Sequence, residues 1–277
     1  MLCVRCRTGT AVTDDGLCTS CPGARPPLPG GAEPEPEPVA TGPGGWGVGT
    51  WPRSPVGLSR AVTALLGAVI VTDLVAIGRG LHLRALWQAL VEEGDPAVHG
   101  SGGVSAERLH SVAQTGQSVV FVATAVVFIV WFHRTRRNAE VFDPAVQRMG
   151  PGWSVGGWFV PFANLWFPYR VATGVWEGSV VPGPEGGRPT VSRAPLRLWW
   201  AVWIASSLLD SFTARMEGSA ETPEQTVQGL GLVAAADAFE IVSAVLAIVF
   251  VRTLTRMQVE RAALRAPRTG SGQLTAP

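Results

Sequence analysis

The apolar stretch V-V-F-V-A-T-A-V-V-F-I-V-W-F at residues 119–132 decides the fold class of this chain. It completes a run from Val112 to Phe132 that contains no charged residue. As an α-helix, such a run is long enough to cross the ~30 Å hydrocarbon core of a bilayer. A basic cluster, H-R-T-R-R at 133–137, follows directly and is typical of the cytoplasmic end of a membrane-spanning helix. The stretch therefore predicts a transmembrane helix.

The composition of the whole chain agrees with a membrane protein. The 277 residues are 47% hydrophobic and 16% charged, with a mean hydropathy of +0.24, whereas soluble domains carry about 25% charged residues. Five hydrophobic segments lie at residues 56–78, 112–132, 153–176, 196–213 and 229–251. Soluble core helices, the alternative, do not account for several such runs in one small chain. We expect an all-α integral membrane protein.

The distribution of arginine predicts the topology. All 22 basic residues are arginine, and arginine is concentrated on the cytoplasmic side of membrane proteins. If every hydrophobic segment except 153–176 spans the membrane, all but four arginines lie on the side of the N terminus. If that segment spans as well, the arginines divide almost evenly. We therefore predict a four-span helical bundle in the cell membrane, with the N and C termini in the cytoplasm.

Residues 153–176 are expected to differ from the four spans. Pro161 and Pro168 remove backbone donors and would break a lipid-exposed helix. We predict a re-entrant or interfacial helical hairpin that enters and leaves on the cytoplasmic side, with Asn164 satisfying the freed backbone groups. An ordinary kinked span is the alternative.

The regions around the spans have their own predicted structures. Residues 24–55 form a disordered linker rich in Pro, Gly and Glu, and residues 265–277 a disordered tail, because neither can bury enough apolar surface to fold. The membrane domain covers residues 56–264. Between the first two spans, His82–Glu93 has an apolar face at helical spacing and predicts an amphipathic helix on the outer surface. Residues 94–105 predict a flexible loop.

Four cysteines at the N terminus predict a metal site. Cys3, Cys6, Cys18 and Cys21 form two C-x-x-C pairs, and the chain has no other cysteine. Two such pairs complete a tetrahedral Cys₄ shell, which suits zinc and has no open position for catalysis. Residues 1–23 are therefore predicted to be a structural zinc knuckle. Iron on the same ligands is an alternative, as are disulfides or free thiols.

Several stretches carry a resemblance to a known family. They are W-F-H-R-T-R-R-N-A-E at 131–140, P-G-W-S-V-G-G-W-F-V-P-F-A-N-L-W-F-P-Y-R at 151–170, P-L-R-L-W-W-A-V-W at 195–203 and R-T-L-T-R-M-Q at 252–258. Over residues 57–262 the chain resembles the actinobacterial membrane family called domain of unknown function 4328.

The resemblance implies multi-pass membrane residence and no established activity. It also implies a structural role for five motif residues, Trp153, Trp158, Pro161, Asn164 and Pro168. The cysteine module resembles the zinc-ribbon heads that are attached to some members of the family.

Ionisable residues inside the predicted spans are candidates for a polar intramembrane site, because charges are costly in lipid. Four carboxylates fall in the outer half of the predicted bundle: Asp73, Asp210, Asp237 and Glu240. They could line a cation or proton site. The alternative is that they reach toward the interface or pair with Arg79 and Arg215.

The sequence favours two functions. The first is a non-enzymatic membrane adaptor or sensor, whose zinc head recruits a cytoplasmic protein partner. The second is a small transporter or channel that uses the four carboxylates. The metalloprotease motif H-E-x-x-H does not occur, and an enzyme is not expected. The net charge of +1 gives no reason to expect a nucleic-acid partner, and the bilayer is the expected surrounding. A homo-oligomer is compatible with the sequence.

Overall fold

The computed structural model of the chain describes residues 51–183, 187, 189–219 and 221–265. In this part of the chain the regular structure is helical, and it contains no strand. The main helices are α1 (Val56–Glu93), α2 (Ser101–Phe142), α3 (Trp153–Gly156), α4 (Phe167–Ser179), α5 (Ala194–Glu217) and α6 (Pro223–Arg265). The all-α fold is confirmed. The cysteine module, the linker to residue 50 and the tail from residue 266 lie outside the described residues.

Three helices are long and apolar enough to cross a membrane. They are α1, α2 and α6, with 38, 42 and 43 residues. At 1.5 Å per residue each is about 60 Å long, roughly twice the ~30 Å hydrocarbon core. The predicted fourth span is α5, which has 24 residues; it is aromatic and is not among the three. The count of four spans therefore stays a prediction.

The region between the first two predicted spans differs from expectation. Instead of a separate surface helix, His82–Glu93 continues α1 without a break, and α1 ends at Gly94 in a left-handed conformation (φ 68°). Residues 101–105 are the first turn of α2 and not a flexible loop. The reason is burial, because the apolar face of this part of α1 packs in a second small core. Its members are Leu83, Ala106 and Leu230, with Leu86 and Trp87 against them.

The aromatic segment, which we define as residues 153–166, forms neither a kinked spanning helix nor two long hairpin arms. It consists of the four-residue α3, a series of turns and a 3₁₀ turn at Ala163–Leu165. Phe162 has φ 61°, a conformation that L-residues rarely adopt and that marks the reversal of the chain. The 13-residue α4 follows and is about 20 Å long, too short to cross a bilayer alone.

The two prolines and Asn164 have roles that differ from the predicted ones. Pro168 lies in the first turn of α4, where a missing backbone donor costs nothing, so it starts a helix and does not break one. Pro161 lies in the turns, where its carbonyl accepts from the Ala163 N–H. The Asn164 side chain makes no hydrogen bond to any described residue, so its predicted role is wrong; its backbone N–H donates to the Val160 carbonyl.

Aromatic side chains fill the main core. α1 packs against α2 and α6, α5 against α6, and α4 against α2 and α6. Trp131, Trp176 and Phe250 are at most 1% exposed. The ring of Phe250 stacks on Trp199 of α5 with centroids 4.8 Å apart, and meets Trp131 of α2 edge-on at 5.8 Å. These contacts join the helices at the end of the bundle that carries Arg134, Arg136, Arg137, Arg252 and Arg256, called here the Arg-rich end.

A buried polar network also joins the helices at the Arg-rich end. Asn138 Nδ2 donates to Gln258 Oε1 (3.0 Å) and to the Arg53 carbonyl (2.8 Å). Gln258 Nε2 donates to the Thr135 carbonyl (2.8 Å) and to Ser179 Oγ (3.1 Å). Asn138 and Gln258 belong to two of the stretches that carry the family resemblance, and these stretches therefore meet in space. Their role at this place is structural.

Candidate functional site

The polar centre of the bundle is built from three helices. The side-chain amide of Gln117 on α2 donates to Asp73 Oδ1 on α1 and to Asp237 Oδ1 on α6, both at 2.9 Å. Asp73 is 0% and Asp237 is 8% exposed. One amide nitrogen thus holds two carboxyl groups together, and each of the three groups comes from a helix long enough to span a membrane.

Burial makes this arrangement costly. An ionised carboxylate away from water needs compensating partners, and for Asp73 the Gln117 amide supplies a single hydrogen bond. Asp73 Oδ2 is buried and has no hydrogen-bond partner among the described residues. The surroundings of Asp73 therefore favour a proton or a cation on its carboxyl group.

Two further carboxyl groups extend the centre. Glu240 interacts electrostatically with Asp73, Asp210 and Asp237, and Asp210 also lies within electrostatic reach of Asp73. Exposure rises from Asp73 and Asp237, which are buried, through the half-buried Glu240 to the exposed Asp210. We call these four residues the carboxyl cluster. The structure therefore brings together all four carboxylates that the sequence singled out.

Arginine does not neutralise most of the cluster. Within the described ranges, Asp73, Asp210 and Glu240 form no ion pair. The nearby Arg215 donates to the Ser211 carbonyl of its own helix. The pairing with Arg79 and Arg215 that was the alternative is therefore not formed by these three groups.

An aromatic cavity adjoins the carboxyl cluster. Its volume is about 150 Å³ and most of its wall is apolar. Asp210 and Glu240 line it, together with hydroxyl groups of Ser206, Ser207 and Ser243. The aromatic part of the wall is formed by Phe121, Phe128, Trp158, Trp199 and Trp203. The cavity thus offers aromatic faces and two carboxyl groups to one occupant.

Trp158 connects the aromatic segment to this cavity. Its ring meets Phe128 of α2 at 5.8 Å and Trp203 of α5 at 5.5 Å, both edge-on. Its indole N–H donates to the Ser154 carbonyl (3.1 Å). Trp153 packs on Phe167 at 4.8 Å instead. Of the five family-motif residues, Trp158 is the one that lines the cavity.

Histidine lies near the cluster but does not complete a metal site. His110 of α2 is 7% exposed, packs near Gly80 of α1 and interacts electrostatically with Asp237. In the described part of the chain, no group of three or more His, Cys, Asp or Glu side chains is arranged to hold a metal ion. Cys3, Cys6, Cys18 and Cys21 fall outside that part.

Gln117 is a residue of this site that the sequence analysis does not single out. Ionisable groups stand out inside apolar segments, whereas an uncharged amide does not. The sequence does contain a signal for this residue: Gln114 and Gln117 are the two amide side chains within the apolar run 112–132. A polar side chain in an otherwise apolar span needs a partner, and that partner proves to be the pair of buried carboxyl groups.

Comparison with known proteins identifies the family. A family model described as "Domain of unknown function (DUF4328)" matches residues 96–256, more than half of the chain. The chain belongs to this family. The DUF4328 match begins after α1, so Asp73 lies outside it, whereas Gln117 and the other three carboxylates lie within it. No curated protein and no solved structure matches the chain.

Proposed function

We propose that the bundle works as a small cation transporter, with the carboxyl cluster as its cation-binding centre. The observation that carries the proposal is the placement of Asp73 and Asp237, from two helices of membrane-spanning length, on the single amide of Gln117. Ionisable groups at such depth are expensive and mark ion or proton pathways. A bound cation would offset that cost, because Asp73, Asp210 and Glu240 form no ion pair within the described ranges.

Burial favours a transporter over an open channel. A continuous aqueous pore would leave its binding groups in contact with water, whereas Asp73 is 0% exposed. The rise in exposure from Asp73 to Asp210 supports an entry at Asp210 that leads inward to a closed centre. Transport would then require helices to move, as in proteins that expose one site to alternate sides.

The aromatic cavity supports an organic cation as the substrate. Indole and phenyl faces attract cations and also bury apolar groups. A cavity of about 150 Å³ has the size that admits a benzene ring in an apolar protein core. A small ammonium ion with one aromatic or alkyl group would place its charge at Asp210 and Glu240 and its apolar part among the tryptophans.

Benzyltrimethylammonium is the probe that tests this proposal. With the full chain in phosphatidylcholine vesicles, we expect saturable uptake of the labelled cation and quenching of tryptophan fluorescence. The Asp73→Asn/Asp237→Asn variant should abolish uptake. The Asp210→Asn/Glu240→Gln variant should weaken binding about tenfold, equivalent to ~1.4 kcal/mol.

Glu107→Gln is the matched control, because Glu107 is an exposed acidic residue of α2 outside the cluster. It should leave uptake and quenching unchanged. Uptake that is equal in the wild-type and Asp73→Asn/Asp237→Asn proteins would refute the transporter.

A second candidate function belongs to the N-terminal cysteines. We propose that Cys3, Cys6, Cys18 and Cys21 hold one zinc ion, with iron as the alternative metal, and that this head recruits a cytoplasmic protein partner. The two C-x-x-C pairs in an otherwise cysteine-free chain favour this. The bundle would then act as a membrane adaptor or sensor.

Metal analysis of the purified full chain tests the head. We expect one zinc or iron per chain under reducing conditions and a loss of tight binding in Cys18→Ser, with membrane insertion unchanged. The neighbouring Ser20→Ala should keep the metal. A metal content below half an equivalent in the wild type would exclude the proposed site.

A further inference from the structure

A second cavity, unlike the first in its chemistry, lies at the Arg-rich end. Its volume is about 540 Å³, and its wall comes from the end of α2, residues 146–149, residues 169–177 of α4 and the residue that precedes α5. Four arginines line it, namely Arg136, Arg148, Arg170 and Arg193. Glu177 is the one acidic residue in its wall. We call it the arginine cavity.

The arginine cavity carries uncompensated positive charge. Glu177 is already paired with Arg193, whose Nη2 donates a hydrogen bond to the Glu177 carboxylate. The side chains of Arg148 and Arg170 form no hydrogen bond or ion pair with any residue that the structure describes. Both are exposed at the cavity, so two guanidinium groups are available to an anion.

Arg136 adds a buried donor. Its side chain is 2% exposed, and its Nη2 donates to the Met149 carbonyl. Its Nη1 lies 3.5 Å from Glu140 Oε2 but makes no hydrogen bond. A buried guanidinium with an unused donor is costly, and this guanidinium belongs to a residue that lines the cavity.

The donor set suits a phosphate group. Guanidinium groups bind phosphate oxygens through paired N–H donors and are preferred where phosphate is recognised. Basic pockets between membrane helices bind the headgroups of anionic lipids.

The aromatic segment indicates that the phosphate belongs to a lipid headgroup. The segment lies between two residues of the cavity wall, Met149 and Tyr169. Between these points Phe159 is 72%, Phe162 is 77% and Trp166 is 47% exposed. Such exposed aromatic side chains are typical of a membrane interface. The arginine cavity would then lie at the level of the lipid phosphates.

We propose that the arginine cavity binds the phosphate of an anionic phospholipid. The site is separate from the carboxyl cluster and does not depend on transport. Arg148 lies in the loop after α2 and Arg170 in the first turns of α4. Arg136 fixes that loop through its hydrogen bond to the Met149 carbonyl. The lipid would therefore hold α2, the loop at residues 146–149 and α4 together.

Lipid binding to the detergent-solubilised full chain tests the proposal by native mass spectrometry. We expect one tightly bound phosphatidylglycerol, preferred over phosphatidylcholine by about tenfold or more. Arg148→Gln/Arg170→Gln should remove this preference. These exposed residues are chosen because the loss of the buried Arg136 would also disturb folding. An excess of inorganic phosphate should not displace the lipid.

The matched control is Arg134→Gln/Arg252→Gln, which removes the same charge at the same end but outside the arginine cavity. It should keep the preference for phosphatidylglycerol. Equal losses in both double variants would show diffuse attraction to positive charge and overturn the site. Displacement of the lipid by inorganic phosphate would overturn the lipid as the ligand.

Discussion

At the scale of single residues, Gln117 controls whether two buried carboxyl groups can lie side by side. Its Nε2 is within 2.9 Å of Asp73 and of Asp237, and Asp73 Oδ2 already has no hydrogen-bond partner in the described structure. The removal of this donor would leave Asp73 without the one side-chain hydrogen bond that it makes in the described part of the chain. The cost of a buried group left unsatisfied is about 1–3 kcal/mol.

We therefore expect Gln117→Leu to destabilise the protein by about 1–3 kcal/mol, measured as thermal unfolding of the full chain in detergent. Gln114→Leu makes the same chemical change about one turn earlier in α2, away from the cluster, and should have a much smaller effect. Equal effects of the two variants would mean that the hydrogen bonds of Gln117 do not stabilise the carboxyl cluster.

The same residues show what sequence could and could not predict. Asp73, Asp237 and Glu240 were found because charge inside an apolar run is conspicuous. Gln117 was missed because an uncharged amide becomes meaningful only when the helices that face it are known. Residue spacing alone could not show that α1, α2 and α6 bring their polar side chains to one level.

At the scale of secondary-structure elements, the α1–α2 hairpin depends on a close approach at Gly103. A Cβ atom added there would lie 1.9 Å from the Val98 carbonyl oxygen, in the 3₁₀ turn that joins the helices. The neighbouring Gly102 has open space at the same position. Only one of these two adjacent glycines is therefore required by packing.

We expect Gly103→Ala to displace the turn and lower stability by about 1–3 kcal/mol, the usual cost of overpacking. Gly102→Ala should be neutral or slightly stabilising, because alanine favours helix over glycine. Thermal unfolding of both variants measures the difference. A neutral Gly103→Ala would mean that the turn can move away without cost.

Element boundaries were the least predictable part of the fold. The apolar runs locate α1, α2 and α6, but the amphipathic pattern of residues 82–93 predicts a separate surface helix. Their apolar face is instead buried against the other helices around Leu83 and Leu230. Pro168 predicts a break in a helix, yet it lies in the first turn of α4, where proline is favoured.

At the scale of the whole molecule, the number of membrane crossings is the main topological prediction. With four spans, positions before and after the aromatic segment and α4 should lie on the same side. Single cysteines at Arg148 and Gly187, with the four native cysteines replaced by serine, should both be protected from an impermeant thiol reagent in intact cells. A cysteine at Gly102 should react.

The contrary result is equally clear. If Gly187→Cys reacts from outside while Arg148→Cys does not, the chain crosses the membrane between these positions, and the four-span topology is wrong. If Gly102→Cys is protected while the other two react, the orientation is inverted.

The uninterrupted course of α1 from Val56 to Glu93 has a mechanical consequence. A continuous helix is stiff, and residues 79–93 carry the hairpin tip about 20 Å past the end of the first apolar segment. The hairpin tip is thus a rigid extension of α1 that packs against α2 and α6, and it cannot bend over to close the bundle. Any change of access to Asp73 must come from whole helices that tilt or slide against one another. If a rigid binding domain were fused to the tip, its displacement would report that tilt, because the far end of a tilting helix moves the most.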